Sequence, residues 1–154
     1  MKKITFLIAF LSLAFFANAQ SNNEEVDFYQ SIFGMEKKLV VADFLNIEES
    51  NPFWSLYDAY EAERKELGKD RIQTLAFYAN NYDKMDDAKS DEIIKSMITL
   101  RKANDKLMDK YYKKIRKTSG SKVAAQFFQL EAYFLSEIRS SIMEEIPFIG
   151  EFDN

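Results

Sequence analysis

Apolar side chains return every three or four residues along most of this chain, and short polar breaks divide the pattern into four helical segments. The first predicted helix covers Glu25 to Phe44, where Val26, Tyr29, Ile32, Phe33, Leu39, Val40, Ala42 and Phe44 keep a nearly helical spacing interrupted by Gly34. Asn46 and Glu49 have the spacing of a capping box, with Asn in place of the usual Ser or Thr. Pro52 has no backbone N–H and biases Asn51 away from the α region. The pattern therefore predicts a turn at Asn46 to Ser50, a cap at Asn51 and Pro52 as the first helical residue. Phe53, Tyr57, Tyr60, Arg64, Leu67, Arg71, Leu75, Tyr78 and Tyr82 then predict one long helix, of roughly 30 residues or about 45 Å.

Asp86, followed by Asp87, opens a third predicted helix with a stripe of Ile93, Met97, Leu100, Asn104, Leu107, Tyr111 and Ile115. Thr118-Ser119-Gly120-Ser121 ends it, because glycine accepts a left-handed C-cap and either serine can cap the next helix. The fourth carries Ala124, Phe127, Phe128, Glu131, Phe134, Leu135, Ile138, Ile142 and Met143 until Pro147, and Phe148 to Asn154 form a short tail. The expected fold is all-α, an elongated bundle of about four helices with long helical hairpins, in one domain over residues 20–147.

The chain begins with a different pattern. Lys2 and Lys3 form a positive n-region, Ile4 to Phe16 an apolar h-region, and Ala17-Asn18-Ala19 an A-x-A cleavage site, so residues 1–19 read as a secretory signal cleaved after Ala19. The apolar run is too short for the roughly 20 residues of a membrane span. No cysteine is present to carry a lipid anchor. The expected product is periplasmic or secreted, without a membrane span after cleavage.

Composition narrows the chemistry. The 154 residues include no histidine and no cysteine. That removes the commonest zinc, iron and copper ligands, the Cys nucleophile, the His general base and the Ser-His-Asp triad. A helical di-iron site needs Glu-x-x-His, and no run matches an EF-hand loop. The expectation is a chain that is not an enzyme and takes no cofactor or metal. Lys+Arg number 21 against Asp+Glu 25, a net charge of −4 that becomes −6 once Lys2 and Lys3 leave. That balance disfavours nucleic acid as a partner.

Three features carry candidate function. Arg64, Arg71, Asn104 and Glu131 interrupt apolar seams, and if they face the core Glu131 should pair with Arg71 or Arg64. Such a pair would fix register, or the same residues would form a polar groove. Charge is also segregated: residues 101–117 hold eight basic side chains against Asp105 and Asp109, while residues 20–51 hold two basic against seven acidic. These patches can steer an acidic partner, an unfolded chain or a second copy, although cations late in a helix also complement its dipole. Finally, Phe 14, Tyr 8 and Trp 1 include adjacent aromatics, which cannot both face one core because successive helical residues diverge by about 100°. The candidate protein-binding face is Trp54, Arg101, Lys106, Lys110, Tyr112, Lys113, Phe128 and Tyr133.

The segment Leu45-Asn46-Ile47-Glu48-Glu49, then Phe53-Trp54-Ser55-Leu56-Tyr57 and Tyr60-Glu61, resembles the start of the Spy/CpxP-like periplasmic proteins, whose signature is a Leu-Thr-x-x-Gln motif opening a helix. Asn46 stands here for Thr and Glu49 for Gln. Met85-Asp86-Asp87-Ala88-Lys89 echoes the motif, and Ala124-Ala125-Gln126-Phe127-Phe128-Gln129-Leu130-Glu131 resembles the last block of divergent helical members. The resemblance spans about Leu39 to Pro147. It implies a bent, antiparallel, cradle-like homodimer that acts as an ATP-independent chaperone for unfolded or envelope polypeptides. The alternative it implies is an envelope-stress adaptor that binds a signalling protein, such as a membrane sensor or an anti-sigma-type partner. Some relatives bind zinc, nickel or cobalt through histidines, which this chain lacks.

Overall fold

The computed structural model describes residues 23–152. Their regular structure is helical: α1 (Asn23–Leu45), α2 (Phe53–Asn81), a 3-10 turn (Tyr82–Lys84) and α3 (Asp87–Glu145). The predicted third and fourth helices are thus one 59-residue element, broken inside by Gly120 at φ 88°, ψ 165°. The predicted export signal, residues 1–19, and residues 20–22 lie outside the described residues. No helix among the described residues is long and apolar enough to cross a membrane.

The helix ends follow local chemistry. Asn46 takes a positive φ of 46° and its N–H donates to the Ala42 carbonyl at 3.0 Å. It therefore closes α1 rather than opening the next helix, a role that asparagine fills because it tolerates the left-handed region. The Asn46/Glu49 spacing, which also carried the family resemblance, marks a helix end followed by a loop. Asn51 behaves as its place before Pro52 predicts: its side-chain oxygen accepts the Phe53 N–H at 3.0 Å. The same oxygen accepts the Ser119 hydroxyl at 2.9 Å, tying the start of α2 to the break at Gly120. Asp86 caps α3 by accepting the Lys89 N–H at 2.8 Å.

Packing is antiparallel between α1 and α2, with Lys37 on Glu61, Lys38 on Asp58 and Lys69 on Asp27. The break at Gly120 folds α3 back on itself. Tyr60 of α2 lies 5.5 Å from Tyr111 and 5.1 Å from Phe127, so both arms of α3 pass the same stretch of α2. Around that point Phe53, Tyr57, Tyr60, Tyr111, Ile115, Ala124 and Phe127 form the centre of the core. Edge-on ring contacts connect most of its aromatics, an arrangement that suits their quadrupoles.

Several residues of the predicted stripes lie outside this core. Leu39, Phe44, Met97, Phe128 and Met143 are exposed. In α1 the reason is a change of face: Phe33, Lys37, Val41 and Leu45 point inward at intervals of four, leaving Met35 and Leu39 on the opposite side, 62% and 71% exposed. The tail is held in place, since Tyr78 donates its hydroxyl to the Pro147 carbonyl at 2.6 Å and Tyr82 to that of Phe148 at 2.9 Å.

The backbone at Gly120 lies in a region open essentially to glycine alone, although no atom would meet an added Cβ. Gly120→Ala should lower stability by about 1–3 kcal/mol through backbone strain. The exposed neighbour change Ser121→Ala should stay within about 0.5 kcal/mol. Thermal or urea unfolding of the two variants checks the difference.

Candidate functional site

The centre of the bundle holds a charge. Lys37 of α1 is fully buried, and its ammonium donates to Glu61 of α2 at 2.6 Å and to Glu131 of α3 at 2.7 Å. It also lies over three rings, 5.2 Å from the Tyr60 centroid, 5.4 Å from Phe134 and 5.8 Å from Tyr57. The ammonium is thus surrounded by two carboxylates and an aromatic box, which together replace much of its lost hydration.

Each partner is fixed in turn. Glu131 accepts the Tyr60 hydroxyl at 2.7 Å through the same oxygen that meets Lys37. Glu61 accepts from the Arg64 Nε at 3.0 Å, and Arg64 donates to Gln30 of α1 at 3.3 Å. Gly34 and Gly68 let α1 and α2 approach here, since a Cβ on Gly68 would collide with the Gln30 amide. The predicted pairing of Glu131 with Arg64 or Arg71 is therefore corrected. Glu131 pairs with Lys37, and Arg64 with Glu61 one turn away on its own helix. Arg71 makes no ion pair among the described residues.

Not every polar atom is matched. The second Glu131 oxygen and the Tyr57 hydroxyl are buried without a hydrogen-bond partner. Burial raises the Glu131 carboxyl above its usual range, and the Lys37 charge offsets only part of that. Burial likewise pushes the Tyr57 and Tyr60 hydroxyls far above their ordinary value, with the Glu131 charge adding to it. A cavity of about 10 Å³ opens beside the cluster, lined by Lys37, Arg71, Asn104, Glu131 and apolar side chains including Phe33 and Ile138. That is room for roughly one water molecule.

The predicted protein-binding face is not one surface. Tyr112 and Phe128 meet across the two arms of α3, ring centroids 5.9 Å apart. Trp54, at the start of α2, donates its indole N–H to the Glu48 carbonyl at 3.0 Å beneath Lys38. Lys110 pairs with Glu63 of α2, and Lys113 with Asp109 of its own helix. Arg101 and Lys106 are exposed on different flanks of α3, and Tyr133 is exposed on the far side of the second arm. The Lys110–Glu63 contact partly neutralises the basic arm of α3 from α2, not from the acidic segment at residues 20–51. Glu63 is held below the usual carboxylate range by Lys110 and then by the Tyr111 hydroxyl.

Lys37 is the residue that periodicity misses. Its signal is its place midway between Phe33 and Val41 at intervals of four, an apolar stripe with a cation in the middle. No group of His, Cys, Asp or Glu that could hold a metal ion is found among the described residues. Comparison with known proteins finds no matching family model, no matching curated protein and no matching solved structure.

Removing the ammonium alone strands the buried Glu131 carboxylate, while Glu61 keeps Arg64, so Lys37→Met should destabilise by about 3–5 kcal/mol. Combining it with Glu131→Leu should recover most of that loss, because a buried ion pair replaced as a unit by apolar side chains is close to neutral. Chemical denaturation of the single and double variants measures both. The raised Glu131 pKa also has a sign. The folded state holds this proton more tightly than the unfolded state, so its contribution is full below the ordinary carboxyl range and is lost as pH rises through the raised value. Glu131→Gln should flatten that part of the stability-against-pH profile.

Proposed function

We propose that this chain works, after export to the periplasm or beyond, as a helical binding protein that holds unfolded or envelope polypeptides without ATP. The observation that supports this most is the large apolar side chains left in solvent. Met35, Leu39 and Phe44 on α1, Ile94, Met97 and Ile98 on α3, and Phe148 and Phe152 in the tail are all exposed. They lie among charged residues on helices, a mixture that covers extended apolar chains without demanding one geometry. Such surface normally marks an interaction site when it is contiguous. The same reading takes four helical segments per protomer and a homodimer as the working unit.

A regulatory adaptor is the second reading, favoured by exposed Arg101 and Lys106, which have no ion-pair partner among the described residues. Salt separates the two, since binding through exposed charges weakens as ionic strength rises and apolar holding does not. The test is aggregation of a chemically unfolded client with and without the purified protein, in the absence of ATP, at low and moderate salt. Suppression near equimolar ratio that survives moderate salt is the expected result. Absence of suppression with several clients contradicts the holding role. Sedimentation velocity on the same sample should show a dimer.

A further inference from the structure

Arg71 is half-buried on α2, about one turn beyond Gly68. It lines the central cavity with Lys37, Glu131, Phe33, Phe134 and Ile138, yet it makes no hydrogen bond or ion pair among the described residues, and Glu131 spends its charge on Lys37. Arg64 and Arg139 act on it as like charges and Tyr60 acts in the opposite direction, and no carboxylate is among these groups. Burial and these two like charges lower its pKa to about 10. A partly buried guanidinium in that position is an unmet demand for an anion.

The surroundings say what kind of anion. Tyr112 against Phe128 sets the antiparallel register of the two arms of α3. Continued away from Gly120, that register brings Arg101 level with Arg139 and Met97 level with Met143. Arg101 and Arg139 are exposed and have no ion-pair partner among the described residues, and Asp105, one turn from Arg101, does not pair with it. Ile94 and Ile98 share the flank of Arg101 at helical spacing, 48% and 39% exposed, and Met143 is 43% exposed one turn beyond Arg139. By that register, arginines without ion-pair partners and uncovered apolar side chains lie along the same stretch of the seam.

We propose that this end of the seam between the arms of α3 docks an acidic, apolar polypeptide segment, whose carboxylate pairs with Arg71 and Arg139 while its apolar side chains cover Ile94, Ile98 and Met143. A planar guanidinium matches a carboxylate in a two-point contact. A free anion would use the arginines and leave the apolar residues bare, so a peptide satisfies both halves of the surface. The site shares Ile94 and Ile98 with the holding surface, and what separates it from that role is its demand for a carboxylate.

The test titrates the purified protein with a fluorescent helical peptide of Leu, Ala and Gln carrying a single Glu, and with its counterpart in which Gln replaces that Glu. The Glu peptide should bind at least about tenfold more tightly, the scale of one charge-assisted pair. That preference should vanish in Arg71→Met and weaken in the exposed variant Arg139→Gln. Thermal unfolding of Arg71→Met should begin no lower than in the parent chain, since the change removes an uncompensated charge. Equal binding of the two peptides overturns the proposal, as does a preference that survives in Arg71→Met. A marked fall in the unfolding temperature of Arg71→Met also overturns it, because Arg71 would then have a structural partner. Displacement by inorganic phosphate at concentrations near the peptide Kd would make this a plain anion site. Self-association abolished by Arg139→Gln would make the occupant a second copy. Either result sinks the proposal as stated.

Discussion

One ammonium group in the middle of the bundle sets the terms for the helices around it. An unpaired charge at the position of Lys37 would cost several kcal/mol, so α1 is stable there only while α2 supplies Glu61 and α3 supplies Glu131. Apolar contacts alone would let helices slide by a turn at little cost. A short contact from one cation to carboxylates on two other helices does not, and the Tyr60 hydroxyl and three aromatic rings narrow the choice further. The cluster is better understood as specifying register than as adding net stability, because an apolar replacement of the whole set would pack about as well.

The second constraint is covalent. Gly120 reverses α3, and the Ser119 hydroxyl on the Asn51 side chain joins that reversal to the start of α2. With the reversal fixed, Tyr111 on one arm and Phe127 on the other meet Tyr60 together. Glu131 then comes one helical turn after Phe127 and arrives at Lys37. The glycine break and the buried lysine thus support each other. The break delivers the carboxylate, and the ion contact holds the second arm against α1.

Much of the fold is legible in the sequence because it rests on local rules. The boundaries at Asn51–Pro52 and Asp86, the break at Gly120 and the stop before Pro147 each follow from backbone chemistry that a short window contains. The stripe of α2 reads correctly at Phe53, Tyr57, Tyr60 and Arg64, which are all buried. Asn46 misleads, since the same spacing of Asn and Glu serves a helix end as readily as a helix start. The centre of the site is legible only by half. Glu131 and Arg64 stand out as polar residues in apolar seams, but their partners depend on which helix lies opposite, and periodicity within one helix carries no such information. Lys37 hides because α1 is apolar on two faces, so the outward Met35 and Leu39 compete with the true core face.

The surface then reflects how the interior uses its charges. α2 commits Glu63 to Lys110 and leaves Arg71 without an acid, while α1 and the far end of α3 leave apolar residues uncovered. A binding role fits that remainder, and it rests on the interior holding its register. The most direct measurement is therefore the NMR spectrum of the lysine side-chain ammonium groups. The expected result is one Nζ resonance with slowly exchanging protons, contacts to the Tyr60 and Phe134 rings, and loss of that signal in Lys37→Met. Rapid solvent exchange at every lysine, with no ring contact, would contradict it.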